Sequence, residues 1–251
     1  MEFRRVLFRS AKGRMGNEAV SAINSASDLT FSAALNLGDS LDQLTKTATE
    51  VIVDFTTPDS VMKNLEFAIK NDIHCVVGTT GFDENKLNTL RKLLSDHPKV
   101  GALIAPNFGL GAVLMMQFSQ IAAKYFESAE IIEMHHAHKV DAPSGTAIRT
   151  AEIITSARKE NQKAEMPDAT KSAISGARGT KVGEVPVHSI RGHGYVAHQE
   201  VVFSYLGETL TIRHDSINRA GFMPVVLIGI RNVAKHSGLT VGLENYMEGM
   251  K

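Results

Sequence analysis

Four short apolar runs in the first hundred residues, with helix-periodic segments between them, constrain this chain more than any other feature. Residues 29–35, 50–54, 74–77 and 100–105 read as strands, and residues 14–25, 60–70 and 84–95 as helices interleaved with them. The strand runs are continuously apolar rather than alternating, as expected where both faces of a sheet are covered. Strand–helix alternation of this kind predicts a doubly wound α/β domain on a parallel sheet. Ligands of such sheets bind in the loops at the carboxyl ends of the strands.

After about residue 107 the texture changes. Residues 111–127 read as a helix, 130–136 as a strand and 146–161 as a long helix; residues 162–186 are polar and irregular. Strand character returns at 187–191, 198–205 and 208–214, with Gly207-Glu208 as the turn of a hairpin. This half predicts an α+β domain on a mixed or antiparallel sheet. Residues 219–233 are helical and apolar again and can return to the first domain.

Lys+Arg and Asp+Glu both number 27, so the net charge is zero, which argues against a nucleic-acid or electrostatic membrane footprint. The one cysteine, Cys75, excludes an intrachain disulfide and points to a cytosolic setting. No apolar run approaches the length of a membrane span.

The chemistry concentrates in Glu133-Met134-His135-His136-Ala137-His138-Lys139-Val140-Asp141-Ala142-Pro143-Ser144-Gly145-Thr146-Ala147. Three readings are open. The histidines could ligate a metal, but Lys139 would set a positive charge beside the cation. They could be plain surface residues. Or they could serve acid–base chemistry on an anionic substrate, since histidine titrates near neutrality, Lys139 can hold a carboxylate, and Ser144-Gly145-Thr146 opens a helix whose free N–H groups suit a second one. If residues 130–136 continue as a strand, His136 and His138 share a face and His135 points away.

Four turns sit where strands are expected to end. Ala11-Lys12-Gly13-Arg14-Met15-Gly16 precedes a helix, as a pyrophosphate loop would, with Lys12 and Arg14 adding charge; alone it is equally a plain strand–helix turn. Asp54-Phe55-Thr56-Thr57-Pro58, Val77-Gly78-Thr79-Thr80-Gly81-Phe82 and Ala105-Pro106-Asn107-Phe108-Gly109 follow the next strands. Together they line one sheet edge with small and hydroxyl residues, which can accept a ribose and a nicotinamide. The segment before the first turn is discordant: Phe3-Arg4-Arg5-Val6-Leu7-Phe8-Arg9 carries three arginines where a central strand is apolar. Either it is an edge strand, or residues 1–10 are not those of the natural protein; its arginines also resemble a transit peptide.

These motifs resemble the 4-hydroxy-tetrahydrodipicolinate reductase (dihydrodipicolinate reductase) family. The carriers are Gly13-Arg14-Met15-Gly16, Val53-Asp54-Phe55-Thr56, Val77 through Phe82, Ala105 through Phe108 and Glu133 through Ala147. The resemblance spans nearly the whole chain from residue 11, and the short connection between Leu35 and Val51 is similar to the actinobacterial branch. It implies a Rossmann-like dinucleotide-binding domain (1–107 and 219–251) and an α+β substrate and tetramerisation domain with a mixed sheet (108–218). It implies NADPH or NADH as cofactor, a cyclic dicarboxylate substrate in lysine and diaminopimelate biosynthesis, a cytoplasmic homotetramer, and no metal, nucleic acid or membrane partner. His135 matches the family's proton donor and Lys139 a second one; His136, Ser144, Gly145, Thr146 and Arg219 match substrate contacts. Lys12, Gly13, Arg14, Met15, Asn36, Gly78, Thr79, Thr80, Ala105, Pro106, Asn107 and Phe108 match cofactor contacts.

Two departures stand out. The opening strand ends in Ser10 where the family has glycine, and the second strand ends in Asn36 where an acid contacts the adenine ribose. Asp39, three residues on, reads as too distant to replace that acid, so NADPH is expected to serve at least as well as NADH. A reductase of another imino or keto acid, a non-catalytic dinucleotide sensor and a metal-dependent hydrolase are the alternative functions.

Overall fold

The computed structural model describes residues 4–10, 14–36, 38–79, 81–105 and 107–247. Lys12, Gly13, Thr80 and Pro106 lie outside these, as do the side chains of Arg14 and Arg219. The chain divides into two units, Met1–Phe108 with Arg219–Lys251, and Gly109–Asn218.

The first unit runs β1 (Arg4–Arg9), α1 (Arg14–Ser25), β2 (Leu29–Leu35), α2 (Gln43–Lys46), β3 (Val51–Asp54), α3 (Val61–Lys70), β4 (His74–Val77), α4 (Glu84–Ser95) and β5 (Gly101–Ile104). The second runs α5 (Leu110–Ala122), β6 (Ser128–His135), α6 (Gly145–Glu160), β7 (Thr180–Val182), β8 (Val185–Arg191), β9 (Ala197–Tyr205) and β10 (Glu208–Ser216). The chain then returns to the first unit through a 3-10 turn (Arg219–Phe222), α7 (Met223–Asn232), a second turn (Val233–Lys235) and β11 (Gly238–Val241).

The first sheet has the order β11-β5-β4-β3-β1-β2, every pair parallel. Its direction of progression reverses between β1 and β3, which makes the carboxyl ends of those two strands the topological switch point. Val51, Ile52 and Val53 are fully buried, and α3 lays Val61, Leu65, Ala68 and Ile69 on the same core. β11 joins because Gly101 has no side chain: a Cβ there would stand 2.1 Å from the Val233 carbonyl oxygen and 2.4 Å from that of His236.

The second sheet has the order β10-β9-β6-β8-β7. β6 is central, antiparallel to β9 and parallel to β8. α6 presents Ala147, Ala151, Ile154 and Ala157 as a buried stripe of period three to four, the spacing of one helix face. The Rossmann-like sheet and the mixed sheet agree with the sequence expectation. Four features differ. The short elements α2, β7 and β11 are additional. β8 begins at Val185. The hairpin turn is Leu206-Gly207, because Tyr205 pairs with Glu208. And β6 ends at His135, so His136 and His138 lie on the loop that follows and do not alternate on a strand.

The edge-strand reading of the N-terminus is corrected: β1 lies between β2 and β3. Arg4 donates to the Ile230 carbonyl at 2.6 Å and Arg5 stands exposed beside Glu50. Arg9 is 7% exposed, with Nε and Nη1 unbonded. Ser10 holds φ +77°, the left-handed region where the expected glycine costs nothing and a side chain is strained. The central strand thus buries two unbonded nitrogens of Arg9 and ends on a strained serine. In this sequence, Ser10→Gly should stabilise the fold by about 1 kcal/mol, read as a raised thermal midpoint; a lowered midpoint would mean the serine supports the turn.

Candidate active site

The second unit organises its chemistry around one carboxylate. Glu133 lies on the central strand β6 and is fully buried. Its Oε2 accepts from His135 Nδ1 at 2.5 Å and from Arg191 Nη1 at 2.8 Å; its Oε1 accepts from Arg191 Nη2 at 2.8 Å and from the Ser144 N–H at 3.1 Å. Ser189 adds a further hydrogen bond. The parallel pairing of β6 with β8 makes this possible, since Glu133 faces Ser189 and His135 faces Arg191 across the ladder. Burial on its own raises the Glu133 pKa; the hydrogen bonds from His135, Arg191 and Ser189 outweigh it and hold the pKa at about 2.

An ionised carboxylate only accepts hydrogen bonds, so the His135 proton sits on Nδ1. Nε2 is thereby the ring nitrogen left for chemistry. Arg191 Nη2 also donates to the Asp141 carbonyl at 2.7 Å, tying down the loop between β6 and α6. Lys139 Nζ donates to Asp141 Oδ1 at 2.7 Å. Ser144 caps α6, its hydroxyl accepting from the Ala147 N–H at 3.2 Å. Both its N–H and its hydroxyl are therefore engaged inside the protein, and it shapes the helix start rather than facing outward. Gly145 is exposed and Thr146 half-buried at the first turn, where N–H groups have no intrahelical acceptor. The His136 and His138 rings are 6.4 Å apart, and His138 meets His193 edge-on at 6.0 Å. Among the described residues no group of three or more His, Cys, Asp or Glu is arranged to hold a metal ion.

The sequence reading grouped His135, His136, Lys139 and the 144–146 helix start; in the structure His135 and Ser144 meet at Glu133, and Lys139 stands on the loop between them, paired with Asp141. It assigned no role to Glu133 and did not include Arg191 or His193. The available signal for Arg191 was a cation at the close of the strand at 187–191.

In the first unit, Met15 lies at the start of α1, Gly78 and Thr79 follow β4, and Ala105, Asn107 and Phe108 follow β5. Gly78 is required by close approach: a Cβ there would stand 2.2 Å from Phe55 Cε1. Phe55 stacks on Phe8 at 5.6 Å and meets Phe108 at 5.3 Å. At the end of β2, Asp39 folds back so that its Oδ2 accepts the Asn36 N–H at 2.6 Å. The acid that seemed too distant in the sequence is therefore at the strand end. Arg219 opens the 3-10 turn that leads into α7.

The Glu133 assembly has an acid limit. Its depressed pKa contributes stability that is complete above about pH 4.5 and is lost as pH falls towards about 2. Denaturant unfolding across that window should show the loss, and Glu133→Gln should flatten it while costing about 3 kcal/mol at neutral pH through the unpaired arginine. Equal slopes for both proteins would assign the acid sensitivity elsewhere.

The profile of the dihydrodipicolinate reductase N-terminus matches residues 5–108, and that of its C-terminus residues 111–247. The chain is 55% identical to the 4-hydroxy-tetrahydrodipicolinate reductase of Mycolicibacterium gilvum, over 97% of this chain and 99% of that one. It is 53% identical to that of Streptomyces griseus, over 97% and 98%. The structure of dipicolinate-bound dihydrodipicolinate reductase from Paenisporosarcina sp. TG-14 superposes with a TM-score of 0.85 at 35% identity, covering 98% of this chain and all of that one. A myo-inositol 2-dehydrogenase from Lactobacillus plantarum, 11% identical with a TM-score of 0.62, shares the fold alone. The chain belongs to the dihydrodipicolinate reductase family.

Proposed function

We propose that this protein reduces 4-hydroxy-tetrahydrodipicolinate to tetrahydrodipicolinate, a step of lysine and diaminopimelate biosynthesis, with NADPH or NADH as reductant. The observation that carries the residue-level reading is the Glu133–His135 contact, which leaves one proton-transfer nitrogen of defined tautomer at the end of β6, beside a loop that carries Lys139.

The first unit fits a dinucleotide. Its parallel sheet has a switch point, and Gly78 is pared to the backbone beneath Phe55. We assign the pyrophosphate to Lys12, Gly13, Arg14 and Met15, the adenine ribose to Asn36, and the nicotinamide end to Gly78, Thr79 and Thr80 with Ala105, Pro106, Asn107 and Phe108. When bound, the cofactor supplies the hydride. Asp39 beside Asn36 sets a negative charge against a 2′-phosphate, while Lys12 and Arg14 attract one, so both dinucleotides are expected to serve. Asp39→Ala should raise kcat/KM for NADPH relative to NADH about threefold to tenfold, corresponding to loss of one charge repulsion of about 1 kcal/mol; an unchanged ratio would remove Asp39 from cofactor choice.

The second unit supplies the proton and the substrate contacts. Lys139 takes one substrate carboxylate in exchange for, or shared with, Asp141. Gly145 and Thr146, at the start of the helix that Ser144 caps, take the other, with His136 as a further contact. In its doubly protonated form, with Nδ1–H kept on Glu133, His135 gives from Nε2 the one proton that balances the hydride, while the 4-hydroxyl leaves as water with a hydrogen from the adjacent ring carbon, which that proton replaces. His135→Ala should lower kcat by about 10²–10⁴-fold. Lys139→Ala should chiefly raise the substrate KM. The assay is NAD(P)H oxidation coupled to enzymatically generated substrate; near-normal kcat in His135→Ala would remove that residue from proton transfer. Absence of turnover alongside cofactor binding would favour the sensor reading.

No described helix is long and apolar enough to cross a membrane. We place the protein in the cytoplasm as a homotetramer, in keeping with its single cysteine and with the edge strand β10, which exposes Leu210 next to Tyr205 and Leu206.

A further inference from the structure

Asp54 is the last residue of β3 and is fully buried. Strand β3 is otherwise Val-Ile-Val, and packing alone would continue it with another apolar side chain. Burying a carboxylate instead is costly unless its lone pairs are filled. They are filled by neutral donors from the elements around it. Oδ1 accepts from the Thr56 N–H at 2.9 Å, the Thr56 hydroxyl at 2.6 Å and the Thr79 hydroxyl at 3.1 Å. Oδ2 accepts from Asn64 Nδ2 on α3 at 2.7 Å. The Asp54 carbonyl takes the Gly78 N–H at 2.9 Å. No lysine or arginine is among these hydrogen-bond partners.

All but the Asn64 bond tie a strand-end turn to Asp54. Thr56 belongs to the turn after β3, Gly78 and Thr79 to the turn after β4, and Asn64 braces Asp54 and Thr56 from the helix. Phe55, between Asp54 and Thr56, covers Gly78 and meets Phe108 from the turn after β5. The place is the switch point of the sheet.

We propose that Asp54 is a positioning residue for the dinucleotide. Its carboxylate locks the turn after β3 to the turn after β4, and so sets the spacing of the strand ends against which the nicotinamide end rests. This rests on the reading that the cofactor lies at these strand ends. The proposal is specific about chemistry. An asparagine can keep an oxygen at the Oδ1 position and turn its amide towards Asn64, which can flip its own amide to accept. An alanine takes the acceptor from the Thr56 N–H and hydroxyl, and leaves Thr79 only the Thr56 and Asp54 carbonyls at 3.2 and 3.5 Å and Asn64 only the Thr56 hydroxyl at 3.4 Å.

The test measures the Kd of NADPH by its own fluorescence, together with KM for NADPH and for the dicarboxylate substrate, in the wild type, Asp54→Ala and Asp54→Asn. Asp54→Ala is expected to raise the NADPH Kd and KM at least about tenfold, the equivalent of about 1.4 kcal/mol, with the substrate KM unchanged. Asp54→Asn should stay within about threefold of the wild type, a conservative rescue that retains most of the hydrogen bonds. A merely structural role would instead weaken cofactor and substrate together. If Asp54→Ala does not fold, Thr56→Val against Thr56→Ser decides: loss of NADPH affinity in the first and its retention in the second support the proposal. Wild-type Kd in both Asp54→Ala and Thr56→Val, or equal loss of both ligands, overturns it. A wild type that binds neither NADPH nor NADH would overturn the cofactor reading itself.

Discussion

The proposed proton donor and the helix start of the second unit both hang from the Glu133 carboxylate. An acid on the central strand of a covered sheet is expensive to bury, and it is tolerated because each oxygen is saturated by donors. Those donors come from three separate places: His135 on the same strand, Arg191 on the neighbouring strand, and the Ser144 N–H at the head of α6. One charge thereby selects the imidazole tautomer, neutralises a guanidinium and fixes where a helix begins. Arg191 extends the reach of that charge to the Asp141 carbonyl, so the loop bearing Lys139 is held at both ends.

The two units solve a similar problem with different chemistry. Each places a buried carboxylate at or near the end of a central strand, beside the residues proposed to handle ligand. Glu133 is matched by a full positive charge and sits among histidines and Lys139, an environment suited to an anionic reactant. Asp54 is matched only by hydroxyl and amide donors, which fix geometry without adding cationic character to the crevice. Strand ends that carry function cannot be purely apolar, and the acid at each one is made tolerable by what its own turns can donate.

Most of the first unit was legible in the sequence because parallel strands buried on both faces leave uninterrupted apolar runs, and residues 51–53 and 75–77 are of this kind. The head of α6 was legible for a local reason: Ser144 caps it from within the same turn. What was illegible depends on distance along the chain. Arg191 stands 58 positions from Glu133, and only the ladder between β6 and β8 brings them together. Asp39 looked remote because three residues in an extended chain are far, whereas a turn folds them back onto Asn36. β7 and β11 leave no signal because Thr180-Lys181-Val182 and Gly238-Leu239-Thr240-Val241 are not continuous apolar runs. β1 misled through composition: its arginines suit an edge, yet the strand is central.

The first unit is built from two pieces of chain, and this has a consequence for how it is made. β5 emerges from synthesis with one side unpaired, and its partner β11 is not available until residue 238. All of the second unit is translated in between. During that interval the nascent sheet presents an open, apolar edge at residues 101–104, the kind of edge that recruits foreign strands. The bare Gly101 that later admits the Val233 and His236 carbonyls is, until they arrive, a gap in that edge. Completion of the fold is thus timed by the last few dozen residues, and a chain released early would expose the strand that the finished protein conceals.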